Sequence, residues 1–128
     1  MIKVLLMMFF TTAMAMAKYI NVDIDESIVN DKNIQIVDIR TPIEWSYGVL
    51  KGAILVNLTD DNGYYNENFI NMIKEKTDPN KKIAVICRSG HRSQTASEIL
   101  IQNGYKDVIN LSGGMILATK KGLDIVKP

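Results

Sequence analysis

The segment from Ile83 to Ser93 constrains the fold more than any other part of this chain. Ile83-Ala84-Val85-Ile86 is an unbroken apolar run, and an amphipathic, helix-like pattern over residues 93–103 follows it closely. Such a run suits a strand that is covered on both faces, which is typical of a central strand in a parallel sheet. Between the two lies Cys87-Arg88-Ser89-Gly90-His91-Arg92-Ser93. The sequence therefore predicts a strand, a short cationic turn and a helix start in direct succession.

The rest of the chain alternates strands with helices in the same way. Further strands are predicted at residues 33–39, 53–58 and 108–111, with an edge strand at 18–22. Further helices are predicted at 66–77, from Gly113-Gly114 to Gly122, and from the capping box Thr41-Pro42-Ile43-Glu44 to Gly48. This order predicts an α/β fold, with a central, mostly parallel sheet flanked by helices. Cys87 falls at the carboxyl end of a strand, where such sheets place their binding crevice.

The first 17 residues have the pattern of a signal peptide. Lys3 gives a short basic start, residues 4–10 are all apolar, and Ala15-Met16-Ala17 fits the rule for a cleavage site. The apolar stretch is shorter than the ~20 residues that span a bilayer, so we expect cleavage rather than a retained anchor. We therefore expect a signal peptide at residues 1–17, one domain at residues 18–128, a periplasmic or secreted protein, and no stable membrane association after cleavage.

Charge and cysteine content exclude several classes of protein. The chain has 15 basic and 14 acidic residues, and Lys3 is the one charged residue of the predicted signal peptide, so the rest is formally neutral. The chain lacks the basic excess that would indicate a nucleic-acid partner. A single cysteine forms no internal disulfide, and with a single histidine it makes no metal site, so we expect no metal. We also expect no organic cofactor, because covalent chemistry at a cysteine requires none.

The surroundings of Cys87 favour a reactive thiol over a buried structural one. Backbone N–H groups at a helix start are unpaired and carry partial positive charge, and two arginines stand in the same turn. Such settings lower a cysteine pKa from ~8.5 to between ~3.5 and ~7.5. A purely structural cysteine has no need of cations at Arg88 and Arg92.

Four motifs follow one another over roughly Asn33 to Gly122. They are Val37-Asp38-Ile39-Arg40 with Glu44-Trp45 and Gly48; Lys51-Gly52-Ala53-Ile54-Leu55-Val56-Asn57; the Cys87–Ser93 loop; and Leu111-Ser112-Gly113-Gly114. In this order and spacing the chain resembles a single-domain rhodanese, a sulfurtransferase of the exported type. The sequence departs from the family pattern at Val49 and Lys51, where histidine and proline are common, and at Met115-Ile116-Leu117, where a tryptophan is common.

The resemblance implies a role for each residue of the loop. Cys87 would be the nucleophile that carries a persulfide. The loop from Arg88 through Ser89, Gly90, His91 and Arg92 to Ser93 would bind the substrate, with its N–H groups turned toward the sulfur. Asp38 and Arg40 would support the loop. The donor would be a small sulfur-containing anion such as thiosulfate, and the acceptor cyanide or a thiol.

Several alternatives stay open at this level. Arg88 is either a donor ligand or a surface residue, and His91 either tunes the loop electrostatically or is an exposed residue of little consequence. A carrier that is loaded with sulfur but does not turn over would look the same in sequence. A phosphatase or arsenate reductase on the same scaffold places its arginine six residues after the cysteine, whereas Arg92 comes five after Cys87 and Ser93 holds the sixth position.

Overall fold

A computed structural model describes residues 18–128, so the predicted signal peptide at residues 1–17 lies outside the described residues. Seven strands are present in the described part of the chain: β1 (Ile20–Asp23), β2 (Ile34–Asp38), β3 (Val49–Leu50), β4 (Ile54–Leu55), β5 (Lys82–Ile86), β6 (Val108–Ser112) and β7 (Ile125–Val126). Five helices accompany them: α1 (Glu26–Asn30), α2 (Pro42–Ser46), α3 (Phe69–Lys76), α4 (His91–Gln102) and α5 (Gly114–Lys120). None of the helices in this range is long and apolar enough to span a membrane.

The main sheet has five strands in the order β1-β6-β5-β2-β4, and every pair is parallel. The central position of β5 confirms what its apolar sequence predicts, since its residues from Ile83 to Ile86 are fully buried. The remaining strands, β3 and β7, form a small antiparallel pair beside the main sheet. The prediction of a mostly parallel sheet flanked by helices is therefore confirmed.

Alternate residues of β5 belong to two separate parts of the core. Ile83 and Val85 pack on one face with Phe69 of α3 and Leu100 of α4. Ala84 and Ile86 pack on the other face, with residues of α1 and α5. Cys87 continues the first set, so its side chain lies on the face that α4 covers.

The sequence prediction differs from the structure at several places. Helix α3 begins at Phe69, three residues later than the predicted start at Asn66. The strand expected at 53–58 is regular only at β4, although its N–H groups at Val56 and Leu58 still bond to the backbone of β2 and the residue after it (3.2 and 3.0 Å). Helix α1 and the strands β3 and β7 were not expected, because each is short and carries little periodic signal. Helix α4 begins at His91, two residues earlier than predicted, and thereby shortens the cysteine loop.

Candidate active site

Cys87 lies directly after β5, at the carboxyl edge of the sheet, and is 1 % exposed. Its Sγ accepts a hydrogen bond from the backbone N–H of Gly90 at 3.1 Å. As a neutral thiol it donates to Oγ of Ser93 at 3.3 Å. In the ionised state the Ser93 hydroxyl can turn and donate instead, so both contacts favour a negative sulfur.

Two opposing effects set the pKa of Cys87. The larger single effect is burial, which by itself raises the pKa of a thiol. Hydrogen bonds from the Ser93 hydroxyl and from the N–H groups of Ser93, Gly90 and Ser89 together outweigh it, so the pKa of Cys87 lies below its usual value. The site therefore favours the thiolate through local dipoles at a helix start.

Gly90 gives the loop the shape that these contacts need. Its φ is +106°, in a region that residues with a side chain rarely adopt, and it stands immediately before the first residue of α4. This turn brings Ser93 into the first turn of α4, where both its hydroxyl and its N–H reach the sulfur. The structure thus gathers Ser89, Gly90 and Ser93 around Cys87.

Asp38 and Arg40 form a buried ion pair behind the loop. The Arg40 guanidinium donates to both carboxylate oxygens of Asp38, from Nε at 3.0 Å and from Nη2 at 2.8 Å. Arg40 also donates to the Gly48 carbonyl at 2.7 Å, and the Trp45 indole donates to Asp38 at 3.2 Å. Asp38 pairs in register with Ile86, the residue before the cysteine. The pair therefore fixes the carboxyl end of β2 next to the residue of β5 that precedes the loop.

Arg92 is held by an acidic partner on another element. Its Nη1 and Nη2 donate to Oε1 and Oε2 of Glu44 at 2.6 and 2.8 Å, an arrangement that joins α4 to α2. The hydrogen bond with Arg92 is the main cause that lowers the pKa of Glu44 to about 2. The same bond raises the pKa of Arg92, and the negative charge of Cys87 adds to that rise. Arg92 directly precedes Ser93, whose hydroxyl lies 3.3 Å from the sulfur, so its guanidinium belongs to the surroundings of Cys87.

Arg88 and His91 lie on opposite sides of the loop, and both are exposed. Arg88 borders an open, largely apolar cleft of about 410 Å³ between α2 and α5, to which Tyr47 and Ile116 also contribute. His91 borders a smaller cleft of about 110 Å³ with Asn110 of β6. Glu44 lines the same cleft, so a donor that enters from the α2–α5 side meets both the Arg88 guanidinium and the Glu44 carboxylate.

The N-terminus of α5 packs against the backbone of the Cys87–Ser93 loop, and the double glycine is the only sequence signal for this contact. The N–H groups of Met115 and Ile116 donate to the carbonyl oxygens of Cys87 and Arg88 at 2.9 and 3.1 Å. Gly114 packs so tightly that an added Cβ would collide with those same carbonyl groups. These bonds hold the carbonyl oxygens of Cys87 and Arg88 away from the sulfur, while N–H groups of the loop point toward it.

Glu44 makes a contact at the candidate site that the sequence did not reveal. Its position in the capping box was correctly predicted, because its side chain accepts from the Thr41 N–H at 3.3 Å and the Thr41 hydroxyl caps the Glu44 N–H. Its second contact, with Arg92, joins residues 48 positions apart, and a local motif carries no information about such a pair.

Comparison with protein families identifies this arrangement. The family model described as the rhodanese-like domain matches residues 23–116, which is most of the chain. The chain belongs to this family. No group of three or more His, Cys, Asp or Glu side chains that could hold a metal ion occurs within residues 18–128 of this rhodanese-like domain.

Individual relatives include sulfurtransferases of similar length. The domain is 30 % identical over 105 residues to a sulfurtransferase of Allochromatium vinosum, a match that covers 82 % of this chain and 90 % of the relative. It is 32 % identical over 101 residues to the thiosulfate sulfurtransferase GlpE of Shewanella oneidensis, covering 79 % and 91 %. A tRNA uridine(34) hydroxylase of Pelagibacter ubique is 32 % identical over 89 residues, which cover 70 % of this chain but 28 % of that protein.

A solved structure supports the fold. Rv0390 from M. tuberculosis aligns with a TM-score of 0.68 at 23 % identity, over 76 % of this chain and 80 % of the other. The sulfurtransferase relatives support sulfur transfer of the rhodanese type as the general activity of this domain.

Proposed function

We propose that this domain transfers a sulfane sulfur from thiosulfate, or a similar anionic donor, to cyanide or a thiol through a persulfide on Cys87. The observation that carries the proposal is the position of Sγ, 3.1 Å from the Gly90 backbone nitrogen and 3.3 Å from Ser93 Oγ, at the carboxyl end of the central strand β5. Such a setting stabilises an anionic sulfur, whether thiolate or persulfide.

The first half-reaction forms the persulfide. The Cys87 thiolate attacks the outer sulfur of thiosulfate, the bond between the two donor sulfurs breaks, and sulfite leaves with the bonding electron pair. Sulfite is a weakly basic leaving group, which favours exchange at sulfur. Arg88 at the cleft is placed to meet the anionic donor, and the loop N–H groups hold the charge that moves to the new terminal sulfur.

The second half-reaction returns the enzyme to its starting state. Cyanide or a thiolate attacks the terminal sulfur, the Cys87–sulfur bond breaks, and the Cys87 thiolate is regenerated. Cyanide yields thiocyanate, and a thiolate yields a persulfide of the acceptor. This covalent scheme uses no oxidant and no cofactor, and it leads to ping-pong kinetics.

Mass spectrometry of the intact protein tests the proposal most directly. Exposure to thiosulfate should add the mass of one sulfur atom, and cyanide should remove it with formation of thiocyanate. Cys87→Ser should abolish both steps, whereas Ser97→Ala, one helical turn beyond Ser93, should load normally. Absence of the added sulfur in the unaltered protein would refute the persulfide. Loading without repeated turnover on cyanide or several thiols would identify a sulfur carrier.

We further propose that residues 1–17 are removed on export and that the domain acts in the periplasm or outside the cell. The basis is the sequence pattern, with Ala15 and Ala17 at the positions that signal peptidase requires. Expression of the full chain in a bacterial host, followed by fractionation and N-terminal sequencing, should give a protein that starts at Lys18. An intact N-terminus in the cytoplasmic fraction would contradict this expectation.

A further inference from the structure

The pair between Glu44 and Arg92 places a full negative charge next to the only arginine of α4. Both oxygens of Glu44 are engaged, at 2.6 and 2.8 Å, and the two side chains are 25 % and 30 % exposed. Because Arg92 holds the pKa of Glu44 at about 2, this carboxylate is ionised throughout the neutral range. The charge of Arg92 is therefore balanced before any ligand arrives.

In the part of the chain that the structure describes, the other ionic groups around Cys87 leave one arginine without a partner. Asp38 and Arg40 neutralise each other behind the loop. Helix α5, which covers the loop carbonyls, carries its lysines, Lys120 and Lys121, at the opposite end from the loop. His91 is exposed on the far side of the loop. Within residues 18–128, this leaves Arg88 as the unpaired arginine beside the cysteine.

We propose that Glu44 is a specificity-determining residue, which cancels the charge of Arg92 and so reduces the advantage that dianionic sulfur donors such as thiosulfate have over monoanionic ones. The donor half of this inference rests on the proposed sulfur transfer. The physical reason is that Coulomb energy scales with the ligand charge. An extra cation beside the sulfur strengthens the binding of a dianion about twice as much, in free energy, as that of a monoanion.

A single substitution separates the charge of Glu44 from its structural role. Glutamine at the third helical position supports a capping box as glutamate does, so Glu44→Gln keeps the reciprocal bonds with Thr41 and removes the negative charge. Arg92→Gln removes the matching positive charge. The double variant restores the charge balance of the unaltered site with neither ion present.

The experiment compares two donors that share the same reacting group. Thiosulfate is a dianion and benzenethiosulfonate a monoanion, so the ratio of their kcat/KM values cancels changes in the reactivity of Cys87 itself. Glu44→Gln should raise the ratio of thiosulfate to benzenethiosulfonate about threefold, which is what about half a pKa unit of added electrostatic stabilisation amounts to. Arg92→Gln should lower the ratio, and the double variant should return it to within about a factor of two.

Alkylation of Cys87 provides a readout that does not depend on sulfur transfer. The ratio of the rates with anionic iodoacetate and neutral iodoacetamide should rise in Glu44→Gln, fall in Arg92→Gln and recover in the double variant. Asp107→Asn is the matched control, because it removes one negative charge from the distant, exposed pair with Lys82. It should leave both ratios unchanged.

Two results would overturn the inference. If both single variants shift the ratios in the same direction, with the double variant furthest from the unaltered protein, then the pair acts only by holding α2 and α4 together. If neither alkylation ratio moves, the charge of Arg92 does not reach the sulfur. Failure of the unaltered protein to accept sulfur from either donor would refute the proposed function, and the alkylation ratios would still decide the role of Glu44.

Discussion

The hydroxyl of Ser93 is the side-chain group that contributes most to the low pKa of Cys87, which makes Ser93→Ala the most informative change at the site. The substitution removes one oxygen, 3.3 Å from Sγ, at a fully buried position. Alanine keeps the backbone N–H of residue 93 and suits a helix interior, so the loop should keep its shape.

The expected shift follows from the strength of the lost bond. Hydrogen bonds to a charged group contribute about 1.5–3 kcal/mol, but here the hydroxyl also bonds to the neutral thiol, so only the difference between the two states affects the pKa. A difference of about 1.4 kcal/mol corresponds to one pKa unit. We therefore expect the pKa of Cys87 to rise by about one unit in Ser93→Ala.

The rate of alkylation by iodoacetamide as a function of pH measures this shift. The midpoint should move upward in Ser93→Ala, and at a pH below both midpoints the variant should react about tenfold more slowly. Ser97→Ala is the control, because its hydroxyl is also buried in α4 but donates to the Ser93 carbonyl at 2.7 Å rather than to the sulfur. Equal midpoints for Ser93→Ala and the unaltered protein would show that the hydroxyl does not stabilise the thiolate.

Three further predictions concern stability. Gly114→Ala should lower the free energy of unfolding in urea by about 2–4 kcal/mol, because the added Cβ meets the loop carbonyls. Gly122 also has a positive φ but open space around it, so Gly122→Ala should lower that free energy by about 1 kcal/mol. Similar losses in the two variants would show that the carbonyl groups move aside for the added Cβ. Asp38→Asn should cost about 3–5 kcal/mol, since it leaves the buried Arg40 guanidinium without its counter-charge, and a loss under 1 kcal/mol would contradict this account. The folded-state pKa of Glu44 is depressed, so its stabilisation is complete above the unfolded pKa and disappears as the pH falls toward 2. Between pH 5 and pH 2 the unaltered protein should therefore lose about 1–2 kcal/mol more stability than Glu44→Gln, a figure that allows for solvent screening of this partly exposed pair. Parallel acid-unfolding curves would contradict it.

The elements that the sequence predicted well are those in which one local pattern fixes the environment. The apolar run Ile83–Ile86 predicts a strand covered on both faces, and β5 is the central strand. The capping box at Thr41 and Glu44 starts α2 as expected. The run at residues 53–58 was misleading, because Val56 and Leu58 are buried as a strand would require, yet their stretch lacks a regular ladder. Burial creates the apolar pattern, and burial is not unique to strands.

The site was predictable in its parts but not in its charge balance. The succession of strand, Cys87, Gly90 and helix start is local, so the sequence indicates where the sulfur lies and which N–H groups are near it. The partner of Arg92 depends on how α2 packs against α4, and no spacing within the Cys87–Ser93 loop indicates it. Long-range ion pairs depend on tertiary packing, and a single sequence contains little information about that.

A buried sulfur stays ionisable here because neutral hydrogen-bond donors of the loop stabilise the thiolate. Burial alone would favour the neutral thiol, and the main groups that offset it are hydrogen-bond donors of the loop, while Arg88 is exposed and Arg92 is paired with Glu44. The N–H groups of the loop and the Ser93 hydroxyl supply the stabilisation, and they are fixed in place by the fold, so they need no reorganisation when charge moves from Cys87 to an added sulfur. Donor selectivity is then free to depend on the arginines and Glu44. Reactivity and selectivity therefore depend on different groups, and substitutions at Ser93 and at Glu44 should change them separately.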